Sequence, residues 1–253
     1  MARVDLNSDL GESFGRYSLG LDDQVIPLVT SVNIACGMHA GDPCVMRRTV
    51  AAAAAAGTSI GAHPGYPALQ AFGRRDMALS PDEAYSFVLY QISALAGFCK
   101  AEGTALAHLK PHGQLYNRAA KDAALAEAIA AAVHDFDPTL VLVGLAGGKL
   151  IEAGRAAGLA TAQEFFADRN YMADGTLVPR KQENAVIANE DFAVARVVRA
   201  VQKGTIEAID GSTIEVAADT ICIHGDNAHA LEFAKKIREA LMQADVELKP
   251  SYG

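Results

Sequence analysis

Acidic side chains recur along the first predicted strand of this chain at a spacing that could build a catalytic or metal-binding site. The stretch VDLNSDLGE at positions 4–12 places Asp5, Asn7 and Asp9 between apolar or small residues. A spacing of two puts all three side chains on one face of a β-strand. Carboxylates are almost never fully buried unless they are paired or bound to a ligand. This face therefore predicts a functional site rather than part of an ordinary core.

Two histidines could join this acidic group. His39 and His63 follow the second and third predicted strands, and Asp9 and Glu12 follow the first. One or two carboxylates with two histidines can hold zinc or another divalent metal, and the candidate ligands are Asp9, His39 and His63. The same residues can instead form a metal-free acid–base cluster. The sequence has neither an HExxH motif nor a paired CxxC motif that would decide between the two.

The motif HLKPHG at positions 108–113 predicts a cation near the mouth of the fold. His108 and Lys110 are two residues apart, so they share a strand face, and Pro111 ends the strand before His112. A lysine that points into a barrel is costly unless it meets an anion, so Lys110 is predicted to stabilise an oxyanion or to bind a carboxylate or phosphate. The alternative is that it extends to solvent from the strand end. In the charge-stabilising role we expect it to be an unpaired rim cation whose removal leaves folding intact. A variant that fails to fold would instead indicate a structural salt bridge.

Further polar residues complete a predicted substrate-binding set. Asn7 and Asn33 lie on predicted strands, and Arg180 lies beside a proline in a long loop. Arginine suits carboxylate and phosphate because its planar fork can donate two parallel hydrogen bonds. His224 and Asp226 follow the last predicted strand. Asp226 could equally act as the N-cap of the following helix.

The elements that position these residues alternate between strand and helix. Strands are predicted near 2–6, 31–35, 58–62, 105–109, 139–144, 159–163 and 220–223. Helices are predicted near 21–29, 43–56, 81–102, 121–134, 147–157, 189–202 and 226–243. Asp42 before Pro43 is a typical helix N-cap, although a functional role for Asp42 is also open. The segment 204–217 predicts a β-hairpin around its Asp-Gly pair.

Strict alternation of strands and helices indicates parallel strands with helical crossovers, in either an open sheet or a closed barrel. An open dinucleotide-binding sheet should show a glycine-rich fingerprint after its first strand, and this chain has NSDLGESFG there. Polar residues also follow nearly every strand. This distribution favours a (β/α) barrel of about seven units, forming a single domain over residues 1–253, with its site at the carboxyl ends of the strands.

Composition narrows the class of partner and compartment. The 253 residues are 51% hydrophobic, which is ample for a large core, and the net charge of −8 argues against nucleic acid or an anionic membrane as partner. The sequence has no apolar run long enough to span a membrane and no basic region followed by an apolar one at its start. The four cysteines have no paired spacing. We therefore expect a cytoplasmic protein with reduced thiols.

Six motifs, in order along the chain, resemble the LamB/YcsF family: DLNSDLGESFG, SVNIACGMHAGDP, GAHPGYPALQAFGRR, HLKPHGQLYN, FADRNYMADGTLVPR and TICIHGDN. The resemblance runs from position 5 to about position 240. It implies a seven-stranded barrel related to the polysaccharide deacetylases. It also implies ATP-dependent opening of 5-oxoproline to glutamate, with 5-oxoprolinase subunits B and C as partners. The deacetylases carry an Asp-His-His metal triad, but their HxxxH spacing is absent here, so the resemblance does not extend to the metal.

The implied reaction assigns roles to the candidate residues. A lactam is a stable amide, and phosphoryl transfer to its carbonyl oxygen would open it to attack by water. Lys110 would stabilise charge, His112 would protonate the leaving nitrogen, and Arg180 would bind the substrate carboxylate. The base would be one of Asp9, Glu12, His39 and His63. The chain has no GxxxxGK[ST] motif, so ATP is expected to be handled with the partner subunits.

Two other functions remain open from the sequence. One is a stand-alone, metal-dependent hydrolase of the deacetylase type, and the other is a non-catalytic binding subunit. The dense set of inward-facing polar residues disfavours the second. The oligomeric state is not determined by these patterns, and a homo-oligomer is compatible with them.

Overall fold

The computed structural model describes residues 2–223 and 228–250. The strands in this part of the chain are β1 (Arg3–Leu10), β2 (Ser31–Ala35), β3 (Ser59–His63), β4 (His108–Leu109), β5 (Val141–Leu145), β6 (Ala160–Phe166), β7 (Thr205–Glu207), β8 (Thr213–Glu215), β9 (Thr220–Cys222) and β10 (Glu247–Leu248). Most of them are short and buried. The sequence predicts the position of each barrel strand to within a few residues.

Seven parallel strands close into a barrel in the order β1, β2, β3, β4, β5, β6, β9 and back to β1. Closure is made by β9, which pairs with β6 on one side and with β1 on the other. The predicted seven-stranded (β/α) barrel is therefore confirmed. The short β10 adds a parallel pairing to the start of β1. The antiparallel pair β7 and β8 lies where the sequence predicts a hairpin.

The helices are α1 (Asp22–Val25), α2 (Pro43–Ala56), α3 (Pro81–Ala101), α4 (Gly113–Ala119), α5 (Ala123–Phe136), α6 (Lys149–Ala156), α7 (Glu190–Lys203) and α8 (Ala228–Gln243), with 3-10 turns at Ile26–Leu28 and Leu69–Ala71. Two expectations differ from the structure. The predicted helix at 21–29 divides into α1 and a 3-10 turn that contains Pro27. Helix α4 was not predicted, because the Pro111 and Gly113 that surround its start are helix-breaking signals. No helix of the described residues is both long and apolar enough to cross a membrane.

Helices α2 and α3 begin with side-chain caps, and the cap of α2 is the one that the sequence predicts. The Asp42 carboxylate accepts hydrogen bonds from the backbone N–H groups of Cys44 and Val45 at the start of α2. It also accepts from the N–H of Gly15, which ties the loop after β1 to this helix. Helix α3 begins with a complete capping box between Ser80 and Glu83. The predicted N-cap role of Asp42 is therefore confirmed.

Strand β1 has an apolar outer face and a polar inner face. Val4, Leu6 and Leu10 are buried in the apolar layer between the barrel and its helices. On the other face, Asp5 accepts hydrogen bonds from Ser31 and Thr220. Asn7 and Asp9 occupy successive levels above it and are bonded to side chains of the neighbouring β9 and β2 respectively. The predicted shared face of Asp5, Asn7 and Asp9 is confirmed, and it is the interior of the barrel.

Candidate functional site

A cavity of about 1130 Å³ opens at the carboxyl ends of the barrel strands. Asp9, Glu12, His63, Lys110 and His112 lie at its base. Its walls carry a set of basic side chains: Arg74, Arg118, Lys121, Arg169, Arg180 and Lys181. Barrel enzymes place their active sites at this end, because the loops that follow the strands converge there. The predicted acids, Lys110 and two of the predicted histidines thus meet at one cavity, whereas His39 is fully buried and is not part of its lining.

Lys110 is buried in an ion-pair network at the base of this cavity. Its side chain is 2% exposed, and its Nζ lies 2.9 Å from Asp9 Oδ1 and 2.7 Å from Glu164 Oε1. It also lies 3.3 Å from the Cys222 sulfur. The expectation of an unpaired rim cation is therefore wrong. Glu164 enters the barrel from β6, far along the chain from Lys110, and no local pattern around Lys110 reveals that pairing.

The acidic and basic groups of this network stabilise each other in their charged forms. Burial alone would lower the pKa of Lys110, but Asp9, Cys222 and Glu164 raise that pKa well above its usual value. Burial alone would raise the pKa of Asp9, but His63 and Lys110 hold it well below its usual value. Asp9 and Lys110 are consequently a charged pair. Burial and the nearby Glu164 carboxylate also raise the pKa of Tyr116 well above its usual value.

Asn7 and Asn33 form the layer directly beneath the cavity. Asn7 donates to Glu164 Oε1 at 3.0 Å, and its amide oxygen accepts from Asn33 and Lys110. Asn33 also donates to Asp9 Oδ1 at 2.9 Å and accepts from His108 Nε2 at 2.8 Å. Both amides are buried and bonded within the barrel. The structure therefore places them as supports for the ion pairs, whereas the sequence predicts direct contact with substrate.

Three histidines and Glu12 form a compact group beside the ion pairs. The rings of His39 and His112 are stacked with centroids 3.7 Å apart and planes within 2°. His112 Nδ1 lies 3.0 Å from His63 Nε2, and His39 Nε2 lies 3.2 Å from Glu12 Oε1. One ligand atom of each of the four residues lies within 4.8 Å of every other. The structure thus adds His112 and Glu12 to the predicted pair His39 and His63.

Burial favours the uncharged forms of His39, His112 and Glu12. Burial and the neighbouring histidines lower the pKa of His39 and of His112 well below the usual value. Burial, with a smaller contribution from Asp9, raises the pKa of Glu12. The predicted role of His112 as proton donor would require a proton on Nδ1, because its Nε2–H already donates to the Phe72 carbonyl at 2.9 Å. Burial disfavours that charged form.

Two glycines allow the histidine rings to pack this closely. A Cβ at Gly65 would lie 2.5 Å from His39 Nδ1. A Cβ at Gly73, where φ is +61°, would lie 2.8 Å from His112 Cδ2 and 2.9 Å from His39 Cβ. A side chain at either position would displace a ring of the cluster. The glycines of the PGYPALQAFG loop therefore have a packing role in the site.

Arg169 is a buried cation on the cavity wall. It is 5% exposed, and its guanidinium donates to the carbonyl oxygens of Ala185 at 3.2 Å and Val178 at 2.6 Å. Within the described residues, no carboxylate lies within ion-pair distance of it. Burial and the nearby Arg180 lower the pKa of Arg169. Arg180 itself is exposed and lines the same wall, so the predicted anion-binding residue has a buried neighbour of the same charge.

Sequence reasoning missed Glu164, Tyr116 and Arg169. The signal that could have identified Glu164 is its position directly before two phenylalanines at the end of a predicted barrel strand, since buried acids need partners. Arg169 belongs to the FADRNY motif, but its burial depends on the carbonyls of a later loop. His224 and Asp226 lie outside the described residues, so their predicted roles stay predictions.

The fold and the site together define a parallel barrel whose strand ends carry buried ion pairs, an imidazole cluster and a basic wall. The family model of the LamB/YcsF family matches residues 4–253, and this chain belongs to that family. The A subunit of the 5-oxoprolinase of Tolumonas auensis is 59% identical over 249 residues, covering 98% of this chain and 99% of the relative. The corresponding A subunit of Bacillus subtilis is 56% identical over 248 residues, covering 98% of this chain and 96% of the relative.

A solved structure shows the same architecture. The crystal structure of the lactam utilization protein from Thermus thermophilus matches with a TM-score of 0.93 and 49% identity, covering 98% of this chain and 99% of that one. The seven-stranded barrel is thus shared with a relative along nearly its whole length. The predicted family resemblance is confirmed.

Proposed function

We propose that this protein is the lactam-binding subunit of an ATP-dependent 5-oxoprolinase, which opens 5-oxoproline to glutamate together with subunits B and C. The names of the relatives from Tolumonas auensis and Bacillus subtilis support the activity. The name of the Thermus thermophilus structure supports a lactam as the substrate class. The observation that carries the proposal is the combination, in one cavity, of an ionised carboxylate at the base and a buried arginine on the wall that has no carboxylate partner among the described residues.

The substrate is a small five-membered ring with one carboxylate. Arg169 is suited to bind that carboxylate, because its guanidinium is already held in place by backbone carbonyls. Arg180, exposed on the same wall, is the second candidate. The cavity of about 1130 Å³ is several times larger than such a ring. The remaining space suits a nucleotide phosphate or a segment of a partner subunit beside the basic wall.

The reaction needs a base that meets water at the activated carbonyl carbon. In the proposed sequence, the lactam oxygen attacks the γ-phosphorus of ATP and ADP leaves. Water then adds to the carbon, the C–N bond breaks, the nitrogen takes up a proton, and phosphate is released with glutamate. Asp9 is assigned as the base because it is ionised and lines the cavity, while Lys110 holds its Oδ1. Lys110 keeps this carboxylate ionised and fixes its position, because the ammonium is itself held by Glu164 on β6.

The test measures glutamate formation from 5-oxoproline and ATP by this chain with its partner subunits. Asp9→Asn should lower kcat by about 100-fold or more, the range expected on losing a general base. Arg169→Gln should raise KM by about 10-fold or more with a smaller effect on kcat, since a hydrogen bond to a charged group contributes about 1.5–3 kcal/mol. Arg47→Ala is the control, because Arg47 is exposed and pairs with Glu102 on the outer surface. Circular dichroism checks that each variant is folded.

The chain by itself should show no 5-oxoproline-dependent ATP hydrolysis, because it has no phosphate-loop motif. Full turnover by the isolated chain would contradict the proposal that it needs partners. Normal KM and kcat in both the Asp9 and the Arg169 variants would contradict the assignment of the cavity.

The histidine cluster favours one alternative function, a metal-dependent hydrolase that works without ATP. That function predicts glutamate formation by the isolated chain when zinc is supplied and ATP and the partners are omitted. The same assay therefore distinguishes the two functions.

A further inference from the structure

We propose that Glu12, His39, His63 and His112 bind one divalent transition-metal ion, with zinc as the best fit. Each of these residues comes from a different segment, at or after the carboxyl ends of β1, β2, β3 and β4 respectively. The sequence predicts Asp9, His39 and His63 as ligands, and the geometry replaces Asp9 with Glu12 and His112. Metal binding at this cluster does not depend on the substrate or on the ATP dependence proposed above.

Backbone carbonyls orient two of the imidazoles toward each other. His63 Nδ1 lies 2.7 Å from the Lys110 carbonyl, and His112 Nε2 lies 2.9 Å from the Phe72 carbonyl. A carbonyl accepts hydrogen bonds and cannot donate them, so each of these nitrogens carries the ring proton. The other nitrogen of each ring, His63 Nε2 or His112 Nδ1, is then the one that can bind a metal ion. Metal-ligating histidines are typically held in this way, with the second ring nitrogen bonded to a carbonyl or carboxylate.

These two nitrogens lie only 3.0 Å apart. Two ring nitrogens at that distance share either a proton or a cation, because two bare lone pairs would repel each other. A bound metal ion would take the place of the proton and accept a lone pair from each ring. The Glu12 carboxylate would supply negative charge beside it, with Oε1 lying 3.2 Å from His39 Nε2 and 3.5 Å from His112 Nδ1.

These separations match the edges of a small coordination polyhedron. Zinc binds imidazole nitrogen and carboxylate oxygen at about 2.0–2.2 Å, which gives tetrahedral ligand-to-ligand edges of roughly 3.3 Å. Three of the six separations within the cluster, 3.0, 3.2 and 3.5 Å, lie close to that value, and all four ligand atoms lie within 4.8 Å of one another. Three imidazoles with one carboxylate suit zinc and its neighbours in the transition series, whereas magnesium and calcium prefer oxygen ligands.

Asp9 lies beside this site as a neighbour of the ligands. Its Oδ2 is 3.3 Å from His63 Nε2, while its Oδ1 accepts from Lys110. The carboxylate can therefore receive a proton at the edge of the cluster without being a ligand itself. When bound, an ion at this position would polarise a carbonyl oxygen or acidify a water molecule at the base of the cavity.

The experiment uses the purified full chain after removal of metal with a chelator. Cobalt(II) is titrated in, its visible absorption is recorded, and zinc bound after dialysis is measured by elemental analysis. We expect one equivalent of either metal, a cobalt spectrum typical of four or five ligands including nitrogen, and displacement of cobalt by zinc. Magnesium should not compete. Absence of zinc and cobalt binding, or binding that magnesium displaces, overturns the proposal.

Variants assign the site. His63→Ala and His112→Ala should each weaken zinc binding by about 100-fold or more, beyond the 10–100-fold lost when only an outer partner of a ligand is changed. His134→Ala is the matched control, because His134 lies on α5, half exposed, beside Asp135. If an alanine variant fails to fold, Glu12→Gln decides the question, since it keeps the shape and removes the charge. Unchanged cobalt spectra and zinc affinity in folded Glu12→Gln overturn the proposal, and a weakened, altered site supports it.

Discussion

Replacing Lys110 by methionine should destabilise the protein strongly, in contrast to what its position at a strand end suggests. Methionine keeps most of the volume of the side chain but removes the charge. Glu164 is 0% exposed, and its nearest cation among the described residues is the Lys110 ammonium at 2.7 Å. Without that cation, the Glu164 carboxylate stays buried, and the hydrogen bond from Asn7 stabilises its charge less than the ammonium does. Asp9 is 17% exposed at the cavity, so its carboxylate is destabilised less than that of Glu164 when the ammonium is removed.

The size of the effect follows from the burial of Glu164. Removing one partner of a buried ion pair costs about 3–5 kcal/mol, because the other charge is left without compensation. With a urea slope of about 3 kcal/mol per molar, the unfolding midpoint of Lys110→Met should fall by about 1–2 M. The double variant Lys110→Met with Glu164→Gln removes the stranded charge as well. It should recover about 2 kcal/mol or more relative to the sum of the two single changes.

Urea unfolding followed by circular dichroism measures these values. Lys149→Met provides the control, because Lys149 forms a surface pair with Glu152 while 46% exposed, and such pairs contribute about 0–1 kcal/mol. The reasoning is refuted if Lys110→Met unfolds within about 1 kcal/mol of the parent protein, a loss typical of surface pairs. It is also refuted if the double variant shows no recovery.

Three further predictions concern a glycine beside the histidine cluster, the cap of α2 and the accessibility of the cysteines. Gly65→Ala should lower the free energy of unfolding by about 1–3 kcal/mol and shift the His39 ring. Gly97→Ala, in open space on α3, should instead raise the free energy of unfolding by about 0.5–1 kcal/mol. Equal urea midpoints for the two variants would contradict this contrast. Asp42→Ala should cost about 1 kcal/mol or more in the same assay, since one carboxylate caps α2 and holds the loop after β1; an unchanged midpoint would show that the cap is dispensable. A thiol reagent at pH 8 should modify Cys44 alone in the native protein, because the other three cysteines are buried. Burial also raises the pKa of Cys36 to about 12 and that of Cys99 to about 11. Rapid modification of a second thiol would refute this prediction.

The sequence by itself determined the elements and the direction in which many side chains point. Alternation in β1 placed Asp5, Asn7 and Asp9 on one face, because successive side chains of any strand point to opposite sides. Local hydrogen bonding likewise determined the cap at Asp42. The repetition of strand, polar turn and helix indicated a parallel barrel with its site at the carboxyl ends of the strands. These are short-range properties, so the order of residues is enough to reveal them.

Only the tertiary structure decided which of those inward side chains meet. Strand β1 extends to Leu10, beyond its predicted end, because pairing with β2 continues through the polar positions. Lys110 meets Glu164 from β6, and His63 meets His112 from the loop after β4. These contacts depend on how the barrel closes and on the register between strands. Closure of the barrel brings each charged group and each imidazole to its partner. The partner then determines whether the residue is a solvated cation at the rim, a member of a buried ion pair or a candidate metal ligand.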